Sequence, residues 1–380
     1  MQQWASTRHV YVDNLKVVLI AAIIALHAIL GYAGTIEAWS YTGVREVTLS
    51  PVTEGVLLVV VTPFGLFMIA LLFLVAGLLT PPSLERKGTA RFMRDRLLRL
   101  GVPFALFVGV VQPTMMYALE HPLGAAPGSY WDAYLGPERQ LDTGVLWFVG
   151  VLLLFSLAYA AWARVWPHRP GRRAPAQITA RHLLLVAAAT APAAFLVRLA
   201  YPYASESGFW DLNYWEWPAC LAVFALGITG SRRGWLAAVP AQLRRRCGAI
   251  TLWAVAAMAV FLAVASVLDV MDAAMGSWHW SAVVFAVIET ALTVFGSVWL
   301  LGVAQRRLDR RIRWGPVLAR RAYGAFMVQG VVLIGLAVAL RAAPLPAEAK
   351  ALIVAGGGIA GSFALAWLLI SRVPVVARIL

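Results

Sequence analysis

Long apolar segments, each near the length that crosses a lipid bilayer, limit what this chain can fold into. One lies within "DNLKVVLIAAIIALHAILGY", residues 13–32, and 61% of all residues are hydrophobic. A bilayer core is about 30 Å thick and is spanned by roughly 20 helical residues. Backbone N–H and C=O groups in lipid must form their hydrogen bonds within the protein, so only helices and closed β-barrels span a bilayer. The sequence lacks the alternation of apolar and polar residues typical of a β-barrel, which leaves helices. The sequence therefore predicts an all-α, multi-pass membrane protein.

The apolar segments predict a single integral-membrane domain over residues 1–380, with about ten transmembrane helices. The first segment is expected to stay in the mature protein, because "MQQWASTRHVYVDN" lacks the basic region and cleavage site of a signal peptide. The ten segments lie near residues 15–33, 56–79, 100–119, 144–165, 183–200, 214–231, 248–268, 282–303, 323–341 and 350–371.

Basic residues alternate between the two sides of the membrane. Of the 32 Lys and Arg residues, 27 fall on the side that carries both termini. Cytoplasmic loops carry the excess of Lys and Arg, so both termini are predicted to be cytoplasmic. This pattern explains the net charge of +14 as a topology signal, and no nucleic-acid partner is expected. Trp and Tyr in the outer gaps suit interface anchoring or stacking on sugar rings.

Two ionisable residues share one face of the first predicted helix. Lys16 and His27 are eleven positions apart, which is about 20° past three full turns and a rise of roughly 16 Å. Lys16 would lie at the cytoplasmic boundary and His27 slightly beyond the bilayer middle. Snorkelling explains such a lysine, and an interhelical hydrogen bond explains such a histidine. Ionisable groups at depth are still functional candidates, and histidine suits general base catalysis.

A dense arginine cluster precedes the third predicted segment. The stretch "RKGTARFMRDRLLRLGVP" holds six basic residues within fourteen positions. In a helix, Arg91 with Arg94 and Arg96 with Arg99 would form two i, i+3 pairs. Topology alone explains any one of these arginines. Because arginine forks bind phosphate bidentately, their density also fits a phosphate-bearing cytoplasmic ligand.

Two more polar residues lie inside predicted spans. Glu289, in "SAVVFAVIETALTVFGS", is expected to pair with a buried cation or to orient a catalytic group. For Gln329 an interhelical hydrogen bond is preferred. The six histidines and two cysteines show no metal-ligand spacing, so no metal cofactor is predicted.

Several motifs, in their order and spacing, resemble the acyltransferase-3 family of membrane O-acyltransferases, including its branch of osmoregulated glucan succinylation proteins. They include a basic residue followed after ten residues by histidine, here Lys16 and His27, and an Arg-x-x-Arg signature, here Arg96 and Arg99. The resemblance covers essentially the whole chain. The segments that carry it are "RHVYVDNLKVVLIAAIIALHA", "LFMIALLFLVAGLL", "LERKGTARFMRDRLLRLGVP", "LWFVGVLLLFSLAY", "FALGITGSRRGW" and "SFALAWLLISRVPVVARIL".

This resemblance implies an acyltransferase for groups other than aminoacyl groups, located in the plasma (inner) membrane. An acetyl- or succinyl-type group would move from cytoplasmic acyl-CoA, foremost acetyl-CoA, to a hydroxyl of a carbohydrate or other small acceptor. His27 would act as catalytic base or transient acyl carrier, with Glu289 as an alternative partner. The residues implied in donor binding are Lys16, Arg91, Arg94, Arg96 and Arg99.

One position departs from the family pattern. Many relatives carry Tyr-x-x-His in the penultimate span, where this chain has Phe326 and Gln329 in "AFMVQG". Glutamine is not a proton-transferring base, so a second-histidine role is not expected here. The alternative function is a secondary transporter of an anion or glycan. Transporters also place ionisable groups at mid-depth, but they typically contain internal repeats, and none is found in this sequence.

Overall fold

A computed structural model describes residues 9–34, 45–120, 129–131, 143–166, 177–205 and 212–379 of the protein. Within these ranges the chain is helical and contains no β-strand, which confirms the predicted all-α class. Much of the outer aromatic gap at 121–144, with its possible sugar-stacking side chains, lies outside the described residues. The same holds for residues 206–211 and for the first eight residues of the chain.

The helices follow one another with short connections. Five-residue π-helical turns interrupt two of them, at Leu97–Gly101 and Phe107–Val111 in one helix and at Leu292–Gly296 in another. The described helices are α1 (Val10–Leu30), α2 (Pro51–Lys87), α3 (Thr89–Ala118), α4 (Trp147–Val165), α5 (Ala180–Ala200), α6 (Trp217–Ser231), α7 (Ala241–Val267), α8 (Met271–Gly276), α9 (Trp280–Arg307), α10 (Gly315–Ala339), α11 (Ala347–Arg372) and α12 (Pro374–Ile379).

Nine of the described helices are long and apolar enough to cross a membrane by length and composition. They coincide with nine of the ten predicted segments. The remaining segment, 214–231, forms a 3-10 turn of three residues followed by the 15-residue α6. Together these reach about 28 Å, close to the thickness of the hydrocarbon core. With α6 included, the described helices give ten apolar segments, the number that the sequence predicts; the cytoplasmic location of both termini stays a prediction.

A glycine sets the direction in which the arginine-rich helix leaves α2. Helix α2 ends at Lys87 and α3 begins at Thr89. Gly88 between them has a φ of 74°, a region that residues with a Cβ rarely adopt. Four of the six basic residues of the cluster therefore lie in the first turns of α3, which begins about ten residues before the predicted start of this span, whereas Arg86 and Lys87 end α2. The helical conformation predicted for the four arginines is confirmed.

The centre of the molecule is a close crossing of α2 and α6. A Cβ added to Gly77 would overlap the carbonyl oxygen of Phe224, and one added to Gly227 would overlap the carbonyl oxygen of Leu74. Small residues at such positions let two membrane helices approach backbone to backbone, where packing rather than the hydrophobic effect drives association. Gly77 thus has a packing role in the motif that carries part of the family resemblance.

Helix α1 packs against α10 and α11. A Cβ added to Gly358 of α11 would meet Leu333 of α10, and it would also lie 3.4 Å from Ile24 of α1. Near the first turn of α1, the Asn14 side chain donates hydrogen bonds to the carbonyl oxygens of Leu308 (2.7 Å) and Arg310 (2.9 Å). These contacts place the helix that carries His27 beside the helix that carries Gln329.

Substituting Gly77 by alanine should destabilise the protein by about 1–3 kcal/mol, because the added methyl group forces two helix backbones apart. Thermal unfolding of the purified protein in detergent measures this change. The matched control is Gly356→Ala, since a Cβ at this exposed helical position meets nothing within 4 Å. Equal melting temperatures for the two variants would contradict the close α2–α6 crossing.

Candidate active site

The intramembrane histidine is hydrogen-bonded to α10. His27 Nδ1 lies 3.0 Å from Gln329 Oε1. Gln329 is fully buried, whereas His27 is half-buried. The interhelical hydrogen bond predicted for Gln329 is confirmed, and its partner is the histidine that the sequence singles out. The bond is also the structural role considered for His27, while its catalytic role stays a prediction.

Lys16 and His27 lie on one continuous helix, as the sequence predicts. Helix α1 runs without interruption from Val10 to Leu30, so the two side chains share a face about 16 Å apart along the axis. Both are half-buried. A basic group near the N-terminal end of α1 is thereby connected along one helix face to the histidine near its C-terminal end.

The predicted donor-binding arginines occupy the first turns of α3 and differ in exposure. Arg91, Arg94 and Arg99 are exposed, whereas Arg96 is half-buried. The Arg96 guanidinium carbon lies 5.1 Å from the centre of the Phe92 ring, a distance at which a cation interacts favourably with an aromatic face. Arg91 and Arg94 lie in α-helical structure and keep the common face predicted for them.

The angle between the Arg96 and Arg99 side chains around the helix axis differs from the angle predicted for an α-helix. Arg99 lies in the π-helical turn Leu97–Gly101, where each residue rotates the chain by less than in an α-helix. The simple i, i+3 alignment is therefore changed, although the two guanidinium groups remain close enough to repel each other. Because two neighbouring cations repel each other, an anion that contacts both would relieve the repulsion. Five-residue π-helical turns are also frequent at functional sites.

A tyrosine of α10, which the sequence analysis missed, holds this π-helical turn. The Tyr323 hydroxyl donates a hydrogen bond of 3.0 Å to the backbone carbonyl of Arg99. Tyr323 and Gln329 are six residues apart on the same helix, a rise of about 9 Å. Helix α10 therefore contacts both the arginine-bearing turn and His27. The only sequence signal was a tyrosine one and a half turns before Gln329.

Aromatic side chains pack against α10 between these two contacts. The ring of Phe326, which lies between Tyr323 and Gln329 in the chain, is 6.0 Å from the ring of Phe148 on α4. Phe148 in turn packs edge-on against Phe73 of α2, with 4.8 Å between the ring centres. Such edge-to-face pairs add packing energy and restrict the geometry of their neighbours. Phe148 of α4, which lies in one of the segments that carry the family resemblance, thus packs against α10 between Tyr323 and Gln329.

Glu289 is held by a buried arginine. Both of its carboxylate oxygens accept hydrogen bonds from Arg198 Nη2, at 2.7 and 2.6 Å, and both side chains are 3% exposed. The rings of Tyr203 and Phe285 flank the guanidinium at 5.1 and 5.3 Å. Of the two roles predicted for Glu289, pairing with a buried cation is confirmed. Its role as a catalytic partner of His27 remains an untested prediction.

Removing Arg198 alone should destabilise the protein by about 3–5 kcal/mol, because the buried carboxylate loses its counter-charge. The double variant Arg198→Met/Glu289→Leu should recover most of that loss, since neither charge then remains buried. Thermal unfolding in detergent, with each single variant as a reference, measures both effects. A Glu289→Gln variant that unfolds like wild type but loses acyl transfer would instead favour the catalytic role.

Comparison with known proteins identifies the family. A family model described as an acyltransferase domain matches residues 9–371, nearly the whole chain. No curated protein and no solved structure showed significant similarity to the chain. The protein belongs to the acyltransferase-3 family and is an acyltransferase, as the sequence motifs predict.

Proposed function

We propose that this acyltransferase moves an acetyl- or succinyl-type group from cytoplasmic acyl-CoA to a hydroxyl of a carbohydrate or other small acceptor, and that it acts in the plasma membrane. The observation that carries the proposal is the double contact of α10. Tyr323 binds the turn that carries Arg99, and Gln329 binds His27. A site for the anionic donor and a candidate base are thereby joined by one rigid element.

The donor would bind at the cytoplasmic end of α3. Coenzyme A carries several phosphate groups, and arginines bind phosphate with paired, charge-assisted hydrogen bonds. Arg96 is oriented by its contact with Phe92, and the backbone of Arg99 is held by Tyr323. Lys16, at the cytoplasmic end of α1, would add a further positive charge. Arg91 and Arg94, which are exposed, would contribute mainly by attracting the anionic donor.

The chemistry would take place at His27. The acyl thioester reaches this depth on the long pantetheine arm of coenzyme A. As the acceptor hydroxyl attacks the thioester carbonyl, the imidazole takes the hydroxyl proton; the carbon–sulfur bond then breaks, and the departing thiolate takes that proton. In the second route the imidazole itself attacks the thioester carbon and expels CoA as a thiolate; the hydroxyl then displaces the imidazole from the acyl carbon, and its proton passes to the thiolate. Both routes use an imidazole nitrogen that is free of a proton.

Replacing Arg96 and Arg99 by alanine should weaken binding of CoA and acetyl-CoA by about tenfold or more, because each charge-assisted hydrogen bond contributes about 1.5–3 kcal/mol. Isothermal titration of the purified protein measures the affinity. The control is Arg306→Ala/Arg307→Ala, which removes two exposed arginines at the end of α9. Equal affinity in the two double variants would contradict the donor-site assignment.

His27→Ala should abolish transfer while acetyl-CoA binding persists, because the base is lost and the donor site is not. Inverted membrane vesicles supplied with acetyl-labelled acetyl-CoA measure transfer to whichever hydroxyl acceptor the membrane provides. The readout is label in ester-linked, hydroxylamine-labile material. If His27→Ala vesicles incorporate label as wild-type vesicles do, the histidine has no catalytic role. Acyl-CoA-independent uptake of an anion or glycan would favour a transporter.

Substituting Lys16 by glutamine should weaken acetyl-CoA binding several-fold, less than the loss of the arginine pair, because a single flexible ammonium makes fewer directed contacts than two guanidinium forks. The same titration measures the effect. Lys16→Arg keeps the charge and should bind acetyl-CoA nearly as wild type does. An unchanged affinity in Lys16→Gln would reduce Lys16 to an interface anchor.

A further inference from the structure

We infer that Gln329 is a positioning residue, which fixes His27 as the tautomer with its proton on Nδ1 and keeps the lone pair on Nε2 for the reaction. This inference deepens the proposed function and rests on it. The observation that carries it is the 3.0 Å contact between His27 Nδ1 and Gln329 Oε1. It assigns a role to the glutamine that stands where many relatives of the family carry histidine.

The orientation of the Gln329 amide selects the tautomer. With Oε1 facing Nδ1, as in the structure, the proton between the two side chains belongs to His27 Nδ1, because an amide oxygen only accepts hydrogen bonds. The flipped amide would present Nε2–H and select the opposite form. A neutral imidazole carries one proton, which leaves Nε2 as the nitrogen with the lone pair. An unconstrained neutral histidine ring in water favours the opposite form, with the proton on Nε2. The contact with Gln329 therefore favours the form that a ring in water populates less.

The surroundings of Gln329 hold its position on α10, while its amide Nε2 has no hydrogen-bond partner among the described residues. The residue is fully buried on α10, one turn after Phe326, whose ring packs against Phe148. One and a half turns earlier, Tyr323 anchors the same helix to α3. His27 is half-buried, and packing fixes the helix that carries its partner. An orienting group must be held by its own neighbours in this way to be effective.

A neutral amide also suits the position in the membrane. A carboxylate would select the same tautomer, as it does in many hydrolases, but a charge buried at this depth is costly. The acidic residue that lies within a neighbouring span, Glu289, is held by Arg198 instead. Glutamine therefore orients the ring without introducing a charge of its own.

The proposed role is consistent with a balanced reaction step. His27 Nε2 takes the proton of the acceptor hydroxyl, while Nδ1–H keeps its hydrogen bond to Gln329 and stabilises the imidazolium as it forms. The hydroxyl oxygen forms a bond to the thioester carbon, and the carbon–sulfur bond breaks. The imidazolium then returns the proton from Nε2 to the departing thiolate. In the acyl-carrier route, the same Nε2 lone pair attacks the thioester carbon and the carbon–sulfur bond breaks, which releases CoA as a thiolate. The acceptor hydroxyl then attacks the acyl carbon, the carbon–nitrogen bond to Nε2 breaks, and the hydroxyl proton passes to the thiolate.

Nitrogen NMR of the histidine rings tests the tautomer directly and needs no substrate. The wild-type protein in lipid nanodiscs, labelled with ¹⁵N-histidine, is measured at a pH where the ring is neutral, and His27 is assigned by the signal missing in His27→Gln. We expect Nδ1 of His27 to carry the proton in the wild type. In Gln329→Leu the proton should move to Nε2, whereas the control Ser156→Ala, a buried polar residue of α4, should leave the signal unchanged. A proton on Nε2 in the wild type overturns the inference even if the Gln329 variant does not fold.

Kinetics separates positioning from donor binding. In acetyl-labelled vesicles, Gln329→Leu should reduce the maximal rate of transfer on the order of tenfold to a hundredfold, with the KM for acetyl-CoA changed less than about twofold. A raised KM at an unchanged maximal rate would contradict the positioning role. If the wild type shows Nδ1–H but transfers no label, the proposed function fails and the tautomer stands. If it transfers label while the ring carries its proton on Nε2, the inference alone fails.

Discussion

The hydrogen bond between His27 and Gln329 joins α1 to α10 at a depth where water does not readily replace either partner. Its energy is modest, since interhelical hydrogen bonds in membranes contribute on the order of 1 kcal/mol. It therefore does not hold the two helices together. Packing does that, through contacts such as Gly358 against Leu333 and Ile24. What the hydrogen bond determines is the orientation of an imidazole, and the proposed chemistry depends on that orientation.

Helix α10 is the element through which the parts of the site are connected. It contacts the π-helical turn of α3 through Tyr323, the aromatic side chains of α4 and α2 through Phe326, and α1 through Gln329. These three residues are spaced by three positions along one helix. A displacement of α10 would therefore change the contact with the turn that carries Arg99 and the contact with His27 at the same time. A continuous helix of this kind keeps the arginine-bearing turn of α3 and His27 in a fixed relation to each other.

The other parts of the described structure support this arrangement by rigid packing. The glycine crossing of α2 and α6 brings two backbones together, and in a close-packed interior such contacts transmit rather than absorb strain. The Arg198–Glu289 pair joins α5 to α9 with both charges buried. Removal of either partner would leave an uncompensated charge, which costs several times more than a lost neutral hydrogen bond. This polar constraint therefore joins helices other than those that carry His27 and Gln329.

The sequence alone determined the fold class, because hydropathy, segment length and the alternation of arginines are local properties that each segment carries by itself. It also identified the family and singled out His27, Gln329 and Glu289, because a polar side chain inside an apolar segment stands out whatever its partner is. Only the tertiary structure decided the partners: Gln329 for His27, Arg198 for Glu289, and Tyr323 for the turn at Arg99. These pairs are 91 to 302 positions apart in the chain, and no local pattern encodes which face of one helix meets which face of another. The π-helical turns were equally invisible, since they arise where long-range packing and hydrogen bonds compensate a local departure from α-helical geometry.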